Sequence, residues 1–113
     1  IGNIFQSKNG SLFIAITPGH TPGSVTLRLS ADHERAYFCG DICHHPIQVY
    51  EPHWNSAFCE LPEQAIHTRR QLLETCAAEN ALLMPAHFGP SHAGLVQRQG
   101  EDFSFLWESS QLA

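Results

Sequence analysis

The chain has few basic residues and no long apolar segment. Its 113 residues include six lysines and arginines against eleven aspartates and glutamates, which gives a formal net charge of −5. Nucleic-acid binding needs clustered basic side chains that displace counterions from phosphates, so we expect no nucleic-acid partner. A membrane-spanning helix needs a run of roughly 18 apolar residues. The sequence lacks such a run, so we expect no membrane partner.

The beginning of the sequence lacks two further features. The chain opens at Ile1 without an initiator methionine, and residues 1–5 carry no basic side chain of the kind that begins a signal peptide. No paired histidines precede His20. A length of 113 residues suits one domain. We therefore interpret residues 1–113 as a single domain that belongs to a longer protein.

The four cysteines are Cys39, Cys43, Cys59 and Cys76. An even number leaves disulfide pairing open. The chain is long enough for an ordinary core, however, and Cys39 and Cys76 fall at apolar positions, where a free cysteine behaves as a small hydrophobic residue. We expect free thiols and a cytoplasmic location, because reducing compartments keep thiols unpaired.

The hydrophobic pattern predicts short strands and one long helix. Strands are predicted at 11–17, 24–30, 36–40 and 81–85, with 103–107 as either a last strand or a cover over an apolar surface. Asn9-Gly10 marks a turn. The helix is predicted to begin at Pro62 and to stop at Asn80. Residues 42–61 are predicted to form a long ordered loop with a helical turn, and loops of this length usually carry function.

The order of these elements indicates the fold class. The first three strands follow one another closely, which favours an antiparallel meander. The helix lies between the third and the fourth of these strands, so it is free to cover the sheet. We predict an α/β (α+β) fold in which a mixed, mainly antiparallel sheet is covered by the helix on one face.

Three polar residues each close a short apolar run beside a glycine or a proline: His20, Asp41 and His87. A hydrolytic metal site needs imidazoles and carboxylates on a stiff frame, with one coordination position left open. The three residues are the right types, and only the fold can bring them together. A turn histidine, a capping aspartate and a histidine bonded to the backbone are the alternatives that the residues leave open.

The segments TPGHTPGS (17–24), YFCGD (37–41) and MPAHFG (84–89), in this order, resemble the metallo-β-lactamase superfamily. Residues 40–48 further resemble its lactonase and methyl-parathion-hydrolase-like branch. The resemblance implies an αββα sandwich of two similar halves, of which this chain is the C-terminal half. It also implies that His20 binds the first metal, that Asp41 bridges two metals as a catalytic residue, and that His87 binds the second metal.

The chain departs from the family in one respect, because the His-x-His-x-Asp-His motif of the N-terminal half is absent. The resemblance implies an intact dinuclear hydrolase, with zinc as the first choice among divalent metals. It would use a metal-bound hydroxide on an ester, lactone, thioester or phosphotriester bond of a small-molecule substrate. This chain alone is then expected to be inactive and to hold zinc weakly or not at all. The alternative is a non-catalytic, metal-free folded module or assembly partner.

Other side chains are expected near the site. We predict that His44, His45 and His92 hydrogen-bond to the metal ligands or line the substrate pocket, because metal centres depend on such supporting contacts. Aromatic residues of the long loop either line an apolar pocket or pack the loop down.

Half of a sandwich would leave the second face of its sheet open. An exposed apolar patch of more than a few hundred Å² usually finds a partner. We therefore expect a two-fold homodimer that buries this sheet face.

Overall fold

Seven strands form one sheet that carries a long helix on one face. The structure is a computed structural model, and it describes residues 2–89 and 91–108. The elements are β1 (Gly2–Ser7), β2 (Gly10–Ile16), β3 (Val25–Ala31), β4 (Glu34–Gly40), α1 (Ile47–Tyr50), α2 (Pro62–Glu79), β5 (Leu82–Pro85), β6 (Gly94–Gln99) and β7 (Asp102–Trp107). In the described part of the chain, no helix is long and apolar enough to cross a membrane.

The strands lie side by side in chain order, from β1 to β7. Every neighbouring pair is antiparallel except β4 and β5, which are parallel. A parallel pair needs a crossover connection, and the long loop with α1 and α2 supplies it. The predicted α+β class with a mixed, mainly antiparallel sheet is confirmed.

The predicted bounds of the long helix are also confirmed. Pro62 occupies its first turn, where the missing N–H of proline costs no hydrogen bond. Asn80 ends it in the left-handed conformation with φ of 54°. Asparagine tolerates this conformation because its short polar side chain bonds locally. The helical turn predicted within the long loop is α1, and the meander of the first predicted strands is β2, β3 and β4.

Two strands were missed, β1 and β6. Gly94 is the first residue of β6. A Cβ at this position would overlap the ring of Phe105, so glycine allows β6 and β7 to approach closely. The rest of β6 ends in three exposed polar residues, 97–99, and therefore lacks the alternation that marks a half-buried strand. In addition, β4 begins at Glu34, two residues earlier than predicted.

The core lies between α2 and the face of the sheet that it covers. Its buried residues from the sheet and the helix include Tyr37, Cys39, Leu83, Val96, Phe103, Phe105, Leu72, Leu73 and Cys76. All four cysteines are free, and Cys39 and Cys76 are buried, as predicted. Burial raises the pKa of the Cys76 thiol well above its ordinary value. The buried thiols of Cys39 and Cys76 therefore act as packing groups.

The opposite face of the sheet carries a continuous apolar row. Cross-strand pairing joins one residue of each strand: Phe5, Leu12, Leu29, Ala36, Leu82, Leu95 and Leu106. Paired residues point to the same face of a sheet. Leu29 is 43% exposed and Leu106 is 53% exposed. Within residues 2–89 and 91–108, no element covers this row, which we call the open apolar row.

Candidate metal centre

The sheet topology brings the three predicted ligands to one edge. β2, β4 and β5 all run in the same direction, because β3 is antiparallel to both β2 and β4 while β5 is parallel to β4. Their carboxyl ends therefore meet at one edge of the sheet. His20 follows β2, Asp41 follows β4 and His87 follows β5. The last two loops are also tied directly, since the Ala86 N–H donates to the Gly40 carbonyl at 3.4 Å.

At this edge the two predicted histidines approach different oxygens of Asp41. The Nε2 atom of His87 lies 2.8 Å from Oδ1, and the Nε2 atom of His20 lies 3.6 Å from Oδ2. Each oxygen of the carboxylate therefore has its own imidazole. The convergence on which the prediction depended is present in the fold, and ligation by these residues stays a prediction.

His44 lies closer to this group than the sequence indicated. Its Nδ1 atom is 3.8 Å from Oδ1 of Asp41, and its ring centroid is 4.4 Å from that of His87. One potential ligand atom from each of Asp41, His44 and His87 lies within 4.8 Å of the others. The sequence predicted a supporting contact for His44, whereas its position is that of a possible ligand.

Two buried atoms of the group lack hydrogen-bond partners, and this tests whether a metal fits. Among the described residues, Oδ1 of Asp41 and Nδ1 of His44 have none, because the close approach of His87 Nε2 to Oδ1 is not aligned as a hydrogen bond. Buried polar atoms are normally paired. A divalent cation would satisfy both atoms, and imidazole with carboxylate is a donor set that zinc and related metals accept. The residues therefore fit a metal ion.

The other two predicted histidines are engaged with the backbone. His45 is exposed, and its Nδ1 accepts a hydrogen bond from the Ile47 N–H at 3.1 Å. His92 is also exposed, and its Nδ1 donates to the Phe88 carbonyl at 2.6 Å. The structure brings neither ring into the cluster of Asp41, His44 and His87. Each of the two rings is held by a hydrogen bond to the backbone of its own segment, and these hydrogen bonds explain the positions of the rings.

Glycines next to the candidate ligands permit tight turns of the backbone. Gly40 has φ of 58°, in the left-handed region that favours glycine, and it directly precedes Asp41. Gly19 has φ of 151° and lies against the backbone of Ala65 on α2. The Gly19 carbonyl accepts the Leu61 N–H, and the His20 carbonyl accepts the Glu60 N–H, each at 2.9 Å. The loop that carries His20 is therefore fixed against the start of α2.

The aromatic residues of the long loop face outward. Tyr50 and Trp54 are exposed, and Phe58 is 84% exposed. Tyr50 is tied to the sheet, because its hydroxyl donates to the Phe105 carbonyl at 3.4 Å and accepts the Phe105 N–H at 3.3 Å. These rings offer apolar surface on the loop that follows Asp41.

Sequence reasoning missed two buried polar residues beside the site, Arg69 and Gln48. Arg69 is 2% exposed and Gln48 is 4% exposed. A signal for Arg69 was present: it falls at helical spacing between Ala65 and Leu73, on the apolar side of α2. A cation in the middle of an apolar stripe needs buried partners. No comparable signal marked Gln48.

Comparison with known proteins gives matches among solved structures alone, because no protein-family model and no curated protein matches the chain. AidC, a dizinc quorum-quenching lactonase in complex with a product, superposes with a TM-score of 0.82 at 22% identity, over 93% of this chain and 35% of that one. The hydrolase AbOPH of the beta lactamase superfamily superposes with a TM-score of 0.81 at 20% identity, over 94% of this chain and 36% of that one.

A probable metal-dependent hydrolase from Staphylococcus aureus superposes with a TM-score of 0.75 at 16% identity, over 95% of this chain and 38% of that one. The chain thus spans little more than a third of the length of these structures. The seven-stranded sheet, the covering helix α2 and the superpositions agree in fold with the family that the motifs indicated. The chain has the fold of the metallo-β-lactamase superfamily.

Proposed function

We propose that this chain is part of a metal-dependent hydrolase and supplies a share of its metal centre. The observation that carries the proposal is the convergence of His20, Asp41, His44 and His87 at one sheet edge, with two buried atoms of the group left without hydrogen bonds. Such a pair of unsatisfied buried atoms is costly unless a bound group completes it.

Asp41 has the central role in this proposal. Its two oxygens face different imidazoles, with His87 and His44 toward Oδ1 and His20 toward Oδ2, and this arrangement supports a role in holding two cations. When bound, a divalent cation such as zinc lowers the pKa of coordinated water and polarises the oxygen of a substrate. The ring of His87 is half-exposed, which leaves a side of the site open to a small molecule.

The proposed substrate is an ester, a lactone, a thioester or a phosphotriester. AidC is a lactonase with a product bound. Another similar structure is an N-acyl homoserine lactone hydrolase with the product N-hexanoyl-L-homoserine at its catalytic metal center; it superposes with a TM-score of 0.59 at 19% identity. These relatives favour a lactone or another carboxylic ester for the intact protein. Phosphotriesters are the alternative.

We further propose that this chain alone is inactive and binds zinc weakly. Four candidate ligands divided between two cations are too few, since each cation in a hydrolytic zinc site takes about three protein ligands. The missing ligands would come from a segment of the longer protein. Turnover of a lactone by the purified chain in zinc would contradict this inactivity.

Zinc affinity tests the metal centre directly. The dissociation constant of the chain for zinc is measured by competition with a chromophoric chelator, for the wild type, Asp41→Asn and Asp32→Asn. Loss of a supporting hydrogen bond already weakens metal binding by about 10- to 100-fold, so removing a ligand charge should cost at least as much. Asp32 lies in the exposed turn between β3 and β4 and serves as the matched control. Equal affinity for both variants would overturn the proposal.

The second candidate function is a folded assembly module, and the open apolar row favours it. We propose that, when this chain is present without the rest of the longer protein, the open apolar row is covered by the same row of a second copy. Light scattering should give a dimer for the wild type and a monomer for Leu29→Lys. Phe58→Lys should remain dimeric, because Phe58 lies on the long loop, outside the row. A monomeric wild type at high concentration would exclude the dimer.

The four free thiols support a cytoplasmic location for either function.

A further inference from the structure

We infer that Thr68 and Arg69, adjacent residues of α2, are positioning residues that hold the two ligand-bearing loops in register. One loop carries His20, and the other carries Asp41 and His44. The consequence for metal affinity rests on the proposed function, whereas the consequence for the loops does not.

Arg69 binds the second loop at four points. Its Nε donates to the Ile42 carbonyl at 2.6 Å, its Nη1 donates to the carbonyls of Pro52 and Trp54 at 2.7 and 3.0 Å, and its Nη2 donates to Oδ1 of Asn55 at 3.0 Å. Among the described residues, no carboxylate contacts this buried guanidinium. Burial lowers the pKa of Arg69. A buried cation without a carboxylate partner is retained only where strong hydrogen bonds offset its desolvation.

Gln48 extends this network to His44. Its Oε1 accepts the backbone N–H groups of His44 and His45, and its Nε2 donates to the Trp54 carbonyl at 2.9 Å. The same carbonyl accepts Nη1 of Arg69. A continuous path of hydrogen bonds therefore runs from the guanidinium through Trp54 and Gln48 to the backbone of His44.

Thr68 binds the first loop. Its buried hydroxyl donates to the Pro18 carbonyl at 2.7 Å, two residues before His20. The backbone of Ala65, one helical turn earlier, lies against Gly19. Thr68 and Arg69 thus contact different loops from consecutive positions of one helix.

The stiffness of the helix gives these contacts their effect. The two loops are joined through β3 and β4, and the second loop has about 20 residues before α2 begins. Each loop residue that is fixed loses conformational entropy. The helix fixes both loops with few side chains, so it sets the separation between His20 and Asp41 before any metal binds. Metal ligands that are held in advance bind more tightly.

The test compares Arg69→Lys with Arg70→Lys in the full chain. Both variants keep the charge, but a lysine ammonium cannot reproduce the planar fork that contacts four acceptors. Arg70 is the matched control, because the contacts of its guanidinium are longer: 4.0 Å to Glu74, 3.3 Å to the Glu101 carbonyl and 6.0 Å to the ring centroid of Phe103. Gln48→Met is a second variant that breaks the path to His44 and leaves the buried cation in place.

The first readout needs no metal. Hydrogen exchange of the His44, Gln48 and Val49 amides should accelerate by about tenfold or more in Arg69→Lys and in Gln48→Met, and should stay unchanged in Arg70→Lys. Exchange rates in both test variants equal to those of Arg70→Lys would overturn the inference.

The second readout is zinc affinity of the folded chain, measured with the chelator. The dissociation constant should rise by about 10- to 100-fold in Arg69→Lys and Gln48→Met. Val96→Ala separates positioning from general stability, because Val96 is buried in β6 away from the site, and this variant should keep its zinc affinity. An equal rise in Val96→Ala would overturn the positioning role. If the wild-type chain binds no zinc, the weak zinc binding that we propose for it fails, and the exchange rates still decide the inference.

Discussion

Replacing Gly19 with alanine should destabilise the fold through the loop that carries His20. Gly19 has φ of 151°, a conformation that residues with a Cβ rarely adopt. An added Cβ would lie 2.7 Å from the backbone nitrogen of Ala65 and 2.8 Å from its Cβ. Both contacts are shorter than van der Waals packing allows, and the backbone of a helix cannot move aside alone.

The magnitude follows from two terms. Backbone strain at an unfavourable φ costs about 1–3 kcal/mol, and forcing an extra methyl group into a packed region costs about 1–3 kcal/mol. We expect Gly19→Ala to lower the free energy of unfolding by about 2–6 kcal/mol in total. The same change should move the loop away from α2, and zinc affinity should fall with it.

Two other glycines near the site provide a graded comparison. Gly40→Ala meets no atom within 4 Å but has φ of 58°, so only the strain term of about 1–3 kcal/mol applies. Gly23→Ala meets neither obstacle, and it should change stability by less than about 1 kcal/mol, in the stabilising direction. Urea unfolding monitored by fluorescence of Trp54 and Trp107 measures all three. A loss in Gly19→Ala no larger than in Gly23→Ala would refute the reasoning.

Two further predictions concern pH and metal. Burial, together with the hydrogen bond to Glu79, raises the pKa of Tyr37 from 10.0 to about 12. Because the raised pKa favours the protonated phenol in the folded state, the contribution of Tyr37 to stability is complete below about pH 10 and is lost between about pH 10 and 12. In urea titrations at several pH values, Tyr37→Phe should therefore lose less stability than the wild type over this range. Saturating zinc should raise the melting temperature of the wild type but not of Asp41→Asn, since a ligand stabilises only the fold that binds it. An equal shift in both proteins would place the zinc elsewhere.

The strongest local signals in the sequence were turn residues around polar side chains. Gly19, Gly40 and the prolines near His20 and His87 restrict or permit specific backbone conformations, so their effect can be inferred from a few neighbouring residues. The same holds for Pro62 and Asn80, which bound α2. These positions predicted the ends of the helix and the three residues that converge on one sheet edge, whereas the hydrophobic pattern predicted most of the strands.

The missed elements depended on contacts between distant residues. β6 is recognisable only through its neighbours, because Gly94 fits against Phe105 and its exposed residues carry no alternation. His44 could not be distinguished from His45 by type or by surroundings in the sequence. Its proximity to Asp41 depends on how Gln48 holds the loop.

The sequence by itself determined which residue types could form a metal centre and where the chain turns to present them, because both depend on the chemistry of short segments. Only the tertiary structure decided which imidazoles approach Asp41 and which buried atoms stay unpaired. It also decided that Arg69 lies under the site, where it donates to the carbonyls of Ile42, Pro52 and Trp54. Those contacts join residues that lie 15–27 positions apart, and such pairings arise only when the sheet and α2 pack together.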